Sequence, residues 1–197
     1  MRPSRSQSAI ERTVALNPHP TTPSSAVQAI EVEVCQAGGT SIQLHYELTG
    51  DIAALLLPVG DSARRSDKLW EHTCFEAFVA GQDDGGKYFE FNFAPSAEWA
   101  AYAFTAYRQG MKVLDAAQSP RISVSHDAGR LSLDAVIDLQ PLPLVRDCPI
   151  LRLALSAVVE DVEHRRSYWA LAHPPGKPDF HHADAFTLAV DMNRRTI

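Results

Sequence analysis

Leu69-Trp-Glu-His-Thr-Cys-Phe-Glu-Ala-Phe-Val79, followed after an Asp83-Asp84-Gly85-Gly86 turn by Tyr88-Phe-Glu-Phe-Asn-Phe93, is the passage from which the architecture can be read. In the second run Phe89, Phe91 and Phe93 alternate against Tyr88, Glu90 and Asn92. A period of two belongs to a strand, whose successive side chains leave opposite faces. In the first run Leu69, Glu71, Thr73, Phe75, Ala77 and Val79 share a face that becomes apolar along the chain. Trp70, His72, Cys74, Glu76 and Phe78 share the other. Two such runs joined by Asp and Gly predict an antiparallel hairpin.

The same period extends outward. Ile30-Glu-Val-Glu-Val34 alternates, and Ile42, Leu44, Tyr46 and Leu48 fall on one face. Leu131, Leu133, Ala135 and Ile137 share a face, as do Leu151, Leu153, Leu155, Ala157 and Val159. Trp99 to Arg108 mixes helix-favouring alanines with aromatics that suit a strand, and a strand is expected there. Phe186-Thr-Leu-Ala-Val190 is expected to be the last strand. Turn residues at Gly38-Gly39, Thr49-Gly50-Asp51, Asp127-Ala-Gly129 and Pro174-Pro-Gly-Lys-Pro178 separate the runs. About nine to eleven short strands predict an all-β fold, an antiparallel jelly-roll β-sandwich. Residues 1–28, rich in Ser, Thr and Pro without apolar periodicity, read as a disordered leader, and 29–197 as one domain.

The 197 residues are 45% apolar and 21% charged, enough to bury a core without a disulfide or metal staple. A net charge of −6 argues against nucleic acid or an anionic membrane as partner, since both are held by cationic surfaces. No apolar run near the start suits an export signal. Cys35, Cys74 and Cys148 lack metal-ligand spacing and read as small buried residues, so a cytoplasmic location is expected. Gly-rich phosphate loops, Gly-x-Ser-x-Gly and His-Glu-x-x-His do not occur, and no cofactor is expected. His173, His181, His182 and Asp184 look metal-like, but adjacent His181 and His182 would face opposite sides of an extended chain. A polar loop is the expectation, with no metal.

Chemistry concentrates on the face opposite the phenylalanines. In the hairpin Glu76, Glu90 and Asn92 lie on one sheet face, where two carboxylates and an amide require partners. Arg108 and Arg152 are the candidates; Arg152 shares its face with Ser156, and small Ala154 leaves room between them. Trp70, Tyr88 and Tyr168 offer aromatic faces, and His72 a polar edge. The proline-stiffened loop after Tyr168-Trp-Ala-Leu-Ala172 brings Lys177, Asp179 and His181 as a rim or lid. These twelve residues together suit a pocket for a small polar ligand, carbohydrate included, with hydrogen bonds from polar groups and stacking from rings. A merely solvated sheet face and a protein-interaction sandwich compete with that reading. So does a small hydrolase or lyase using Glu76 and Glu90 as an acid–base pair, with His72 a further candidate. Glu71 and Glu76 are five apart in one strand and cannot form that pair.

Leu69 to Phe78, Tyr88-Phe-Glu-Phe-Asn-Phe-Ala-Pro95, Glu98-Trp-Ala-Ala-Tyr102, Tyr107-Arg108, Tyr168-Trp-Ala-Leu171 and His173 to His182 together resemble a bacterial group of DOMON-like proteins. That group is related to the family 9 carbohydrate-binding modules. The resemblance spans about residues 30–190, with the closest correspondence at Trp70, Glu76 and Phe89 to Pro95. It implies a jelly-roll sandwich that holds a sugar-like or otherwise polar ligand on one sheet face or at one end, with no chemistry of its own. The relatives' paired tryptophan clamp has no residue-by-residue match; Trp70, Trp99 and Trp169 are the candidates. Calcium, held by some relatives, would need more oxygen ligands than Asp83-Asp84 offers.

Overall fold

The computed structural model describes residues 11–60, 62–82, 85–114, 119–142 and 148–192. Asp83 and Asp84, which form half of the expected hairpin turn, lie outside them. The chain's regular structure is almost entirely antiparallel strand, with three short 3-10 turns among the described residues. The strands are β1 (Glu11–Pro18), β2 (Val27–Gln36), β3 (Ser41–Gly50), β4 (Cys74–Gly81), β5 (Tyr88–Phe93), β6 (Trp99–Phe104) and β7 (Lys112–Val113). Then come β8 (Arg121–His126), β9 (Arg130–Asp138), β10 (Ile150–Glu160), β11 (Arg166–Ala170) and β12 (Leu188–Asp191). They form one sheet in the order β7-β6-β5-β4-β10-β11-β1-β2-β3-β9-β8, with β12 pairing the first half of β10.

The sheet folds back over a shared core. Ile30, Val32, Leu44, Leu48, Leu131 and Leu133 from β2, β3 and β9 pack in one cluster with Phe75, Ala77, Phe91, Phe93, Leu153 and Leu155 from β4, β5 and β10. Tyr46 joins the two halves: its ring lies 5.0 Å from that of Phe75, and its hydroxyl donates to the Glu76 carbonyl at 2.8 Å. The face assignments made from alternation therefore hold for these strands, because each half has one side on this core.

The halves differ on their outer sides. β3 alternates buried and half-exposed, as a strand with one wet face should. β5 is buried at all six positions. Its outer face is covered by a second apolar cluster in which Phe78, Tyr88, Tyr102 and Phe104 meet Phe180 and Phe186 from the loop before β12. That second layer creates the site.

Three sequence expectations change. Residues 1–28 are not a leader throughout: β1 pairs β2 from Glu11 to Leu16 and reaches β11 at Asn17 and Pro18, while residues 1–10 are outside the described chain. Its apolar pattern is short, and the strand is held by ladder bonds on both edges, which no local propensity reports. The strand expected from Leu69 begins only at Cys74. Leu69–Glu71 is a 3-10 turn entered through Lys68 at φ 63°, and Thr73 fixes the bend by donating to Leu56 O at 2.7 Å and accepting from Glu160 N at 3.0 Å. Phe186 stands before β12, not in it, and turns back over Phe78. The strand expected at Trp99 is present as β6, but Arg108 lies past it in a turn at φ 52°.

Gly50 closes the β2–β3 end at φ +155°, where a Cβ would sit 2.1 Å from Ala26 O. Neither the backbone angle nor the carbonyl can yield cheaply. Gly50→Ala is expected to cost about 2 kcal/mol or more in denaturant unfolding; a change under about 0.5 would refute the clash.

Candidate functional site

Cross-strand register assembles the polar group. Glu76 on β4 lies opposite Asn92 on β5 and Ser156 on β10, and Glu90 lies opposite Phe78. The hairpin prediction that Glu76, Glu90 and Asn92 share one face is thus what the register produces. Asn92 Nδ2 donates to Glu90 Oε1 at 2.7 Å, and Ser156 Oγ donates to Glu76 Oε2 at 3.1 Å. Exposure is 3% for Glu76, 4% for Glu90 and 0% for Asn92. Asn92 Oδ1 has no hydrogen-bond partner.

Burial of two neighbouring carboxyls sets their protonation. Desolvation pushes Glu76 well above the usual carboxylate range, and the Glu90 charge pushes it further; the Ser156 hydrogen bond and the Arg108 charge only partly oppose this. Glu90 is raised for the same first reason, against the Asn92 hydrogen bond and Arg108. The pair therefore retains proton near neutrality.

Above them sits His181. Tyr88 Oη lies 2.8 Å from His181 Nδ1 and accepts from the Arg108 backbone N–H at 3.1 Å. The other ring nitrogen, His181 Nε2, lies 3.9 Å from Glu90 Oε2. Burial, then the Arg108 charge, lowers His181 to about 4, so the ring is neutral. Phe78 and Phe104 hold it edge-on at 5.1 and 5.2 Å, and Phe104 stacks on Tyr88 at 4.7 Å.

A cleft of about 220 Å³ opens over this layer. Of the twelve residues named from sequence, Tyr88, His181 and Arg152 line it, together with Lys87, Tyr107 and Phe186 from outside that set. Glu76, Glu90 and Asn92 are not on its wall; they lie farther along β4 and β5 from the hairpin end that lines it. Arg108 and Asp179 are not among the lining residues but pair beside Tyr107: Arg108 Nη2 and Nε reach Asp179 Oδ1 at 2.8 and 3.2 Å, and Tyr107 donates to the other oxygen. Burial pushes Asp179 up, but these hydrogen bonds together outweigh it and hold the carboxyl below its usual range.

The arginines do not pair with the glutamates as expected. Arg108 is taken by Asp179, and Arg152 donates through Nη2 and Nε to Phe186 O at 2.8 and 3.2 Å. Carboxyls that hold a proton do not need a guanidinium partner, which is why the face tolerates two of them. Trp70 packs on Tyr102 at 5.8 Å, and Tyr168 on Phe180 at 6.0 Å under the loop. Lys177 is exposed on that loop. His72 binds Glu160 at 2.7 Å, alongside His164 at 2.9 Å, a different grouping from the Glu76 cluster. His181 and His182 do diverge: His181 reaches Tyr88, while His182 accepts from Asp184 N at 3.2 Å. Among the described residues no group of three His, Cys, Asp or Glu could hold a metal ion, and no helix is long and apolar enough to cross a membrane.

The residues missed have weak sequence signals. Lys87 follows the Gly85-Gly86 turn and reads as a solvated loop cation. Phe186 reads as strand, and only the turn at Ala183–Ala185 aims it at the cleft.

The chain matches no protein-family model and no curated protein. Its fold is found in solved structures. A candidate carbohydrate-binding protein from Bacteroides uniformis superposes with a TM-score of 0.65 at 15% identity, over 92% of this chain and 86% of that one. Weaker likenesses are to a family 9 carbohydrate-binding module from Caldicellulosiruptor kristjanssonii. In complex with glucose it gives a TM-score of 0.43 at 14% identity, over 75% of this chain and 69% of that one. In complex with cellotriose the values are 0.41 and 11%, over 79% and 75%. At these identities the first likeness concerns the fold.

Proposed function

We propose that the protein is a non-catalytic binding module that holds a carbohydrate in the cleft over the β4–β5–β10 face. The observation that carries this reading is the make-up of the wall: the rings of Tyr88, Tyr107 and Phe186 stand beside the hydrogen-bonding groups of His181, Arg152 and Lys87. A sugar presents the same pairing, apolar C–H faces edged by hydroxyls. The fold shared with a candidate carbohydrate-binding protein agrees with it, and so does the resemblance carried by Trp70, Glu76 and Phe89 to Pro95. The jelly-roll form of the sandwich, kinship with bacterial DOMON-like proteins and a cytoplasmic location belong to the same proposal. The free thiols of Cys74 and Cys148 suit that compartment.

In this reading the buried residues position the wall. Asn92 orients Glu90, and the Tyr88 hydroxyl holds the His181 ring in place. The competing use of Glu76 and Glu90 as catalytic acid and base would require contact with substrate, and neither carboxyl is on the cleft wall.

Calorimetry over a panel of mono- and oligosaccharides is the test. Saturable binding is expected at micromolar to millimolar Kd, weakened about tenfold by Tyr107→Ala, since the ring is 48% exposed and contributes mainly contact. A panel with no binder, or a Tyr107→Ala variant that binds every sugar unchanged, would remove this assignment.

A further inference from the structure

The chain is acidic overall, yet the charged groups on the cleft wall are Lys87 and Arg152, both cations. Among the described residues neither has a carboxylate within salt-bridge distance, whereas Arg108 beside them is held by Asp179. Arg152 is not a loose surface side chain. Two of its N–H groups are tied to Phe186 O, which aligns the guanidinium along the cleft and leaves its remaining donors for another acceptor. Lys87 is exposed at the start of β5, next to Tyr88.

Among the described residues the other charged groups near the cleft have partners of their own: Asp184, next to the lining residue Ala183, lies 3.5 Å from His182 Nδ1. Asp179 is shared between Arg108 and Tyr107. His181 is neutral, and Glu76 and Glu90 lie off the wall with protons retained by desolvation. Two cations facing a cleft in a protein of net charge −6 form a local positive field, which a neutral sugar would leave unused.

From this arrangement we infer that the ligand is an acidic sugar, one bearing a carboxylate or phosphate that Arg152 and Lys87 receive while Tyr107 and Phe186 contact its ring. This rests on the carbohydrate reading above and narrows it. The fork of a guanidinium suits the two oxygens of a carboxylate or phosphate, and a lysine supplies the second charge.

The test compares glucose, glucuronate, glucose 6-phosphate and inorganic phosphate by calorimetry at pH 7.5, in low salt and in 0.3 M salt. At least one of the two acidic sugars is expected to bind about tenfold or more tightly than glucose, with the advantage reduced by salt. The two arms report which acid group is preferred. Lys87→Gln is expected to reduce the advantage, read as the ratio of acidic-sugar to glucose affinity, several-fold; its exposure makes a folding defect no explanation. Arg152→Gln should reduce it further, with the melting temperature showing whether release of Phe186 has loosened the loop. Equal affinity for all three sugars overturns the acidic-sugar inference and leaves sugar binding standing. No binding of any sugar overturns both. Inorganic phosphate as tight as glucose 6-phosphate, with glucuronate no tighter than glucose, overturns the acidic-sugar inference, since the anion alone would then account for the binding, and glucose binding decides the carbohydrate reading separately.

Discussion

Glu76→Gln is expected to make the protein more stable above neutral pH and to flatten the dependence of its stability on alkalinity. The sign follows from where the protons are. In the unfolded chain a glutamate is ionised above about pH 4.3. In the folded chain Glu76 and Glu90 keep proton to higher pH because burial disfavours their charge. The folded state then binds more protons than the unfolded one. Their contribution is complete below the unfolded value and is lost as pH rises through the raised folded values.

Other groups confine the window. His181 and His173 are lowered, both first by burial, so each adds stability as pH rises towards about 6.5 and nothing beyond. Asp179, Asp67 and Glu160 are held below their usual range, so their contributions are lost only in acid. From about pH 6.5 into the weakly alkaline range the carboxyl pair governs the slope, and stability should fall. A glutamine at position 76 can still accept from Ser156 Oγ, and its amide can donate to the unsatisfied Oδ1 of Asn92, its cross-strand partner. A gain of about 1–3 kcal/mol near pH 8.5 is expected, several degrees in melting temperature. Urea unfolding at pH 6.5 and 8.5 measures it. Parallel pH profiles for the two proteins would show that the pair is ionised and solvated after all.

Phe75→Ala should have the largest effect on the fold. Phe75 is fully buried on β4, in register with Phe93 and Ala157, and its ring meets Tyr46 from the opposite half. Removing it opens a void between the halves, where backbone ladders on both sides prevent collapse. About 3–5 kcal/mol is expected, a large part of the 5–15 kcal/mol by which domains of this kind are stable. Because β4 also carries Glu76 and Phe78, the cleft floor should loosen with it, and ligand binding should weaken well below the melting transition. A loss under about 1 kcal/mol would mean that the two halves do not share one core at this point.

Alternation alone sufficed for β2, β3, β5, β9 and β10, because a residue either meets the shared core or does not, and that binary choice is written directly in apolar spacing. Glu76, Glu90 and Asn92 could be placed together for the same reason: register in a hairpin follows from period two once the turn is recognised. β1 escaped notice because its support is non-local, from ladder bonds to Val34 and Glu33 on one side and to Ala170 on the other. The bend at Leu69–Glu71 escaped for a similar reason, being fixed by Thr73 against Leu56 and Glu160.

The cleft belongs to that second kind of information. Residues 93 apart in the chain, Tyr88 and His181, are hydrogen-bonded, and Arg108 finds Asp179 instead of the glutamates it was expected to neutralise. Spacing along one strand carries no record of what a distant loop will lay across it. The amino-acid order thus specified which face of β4 and β5 is chemical. Whether that face would be open sheet or a roofed hollow, and whether its acids would be charged, depended on burial by Phe180, His181 and Phe186, since desolvation exists only once the chain has folded over them.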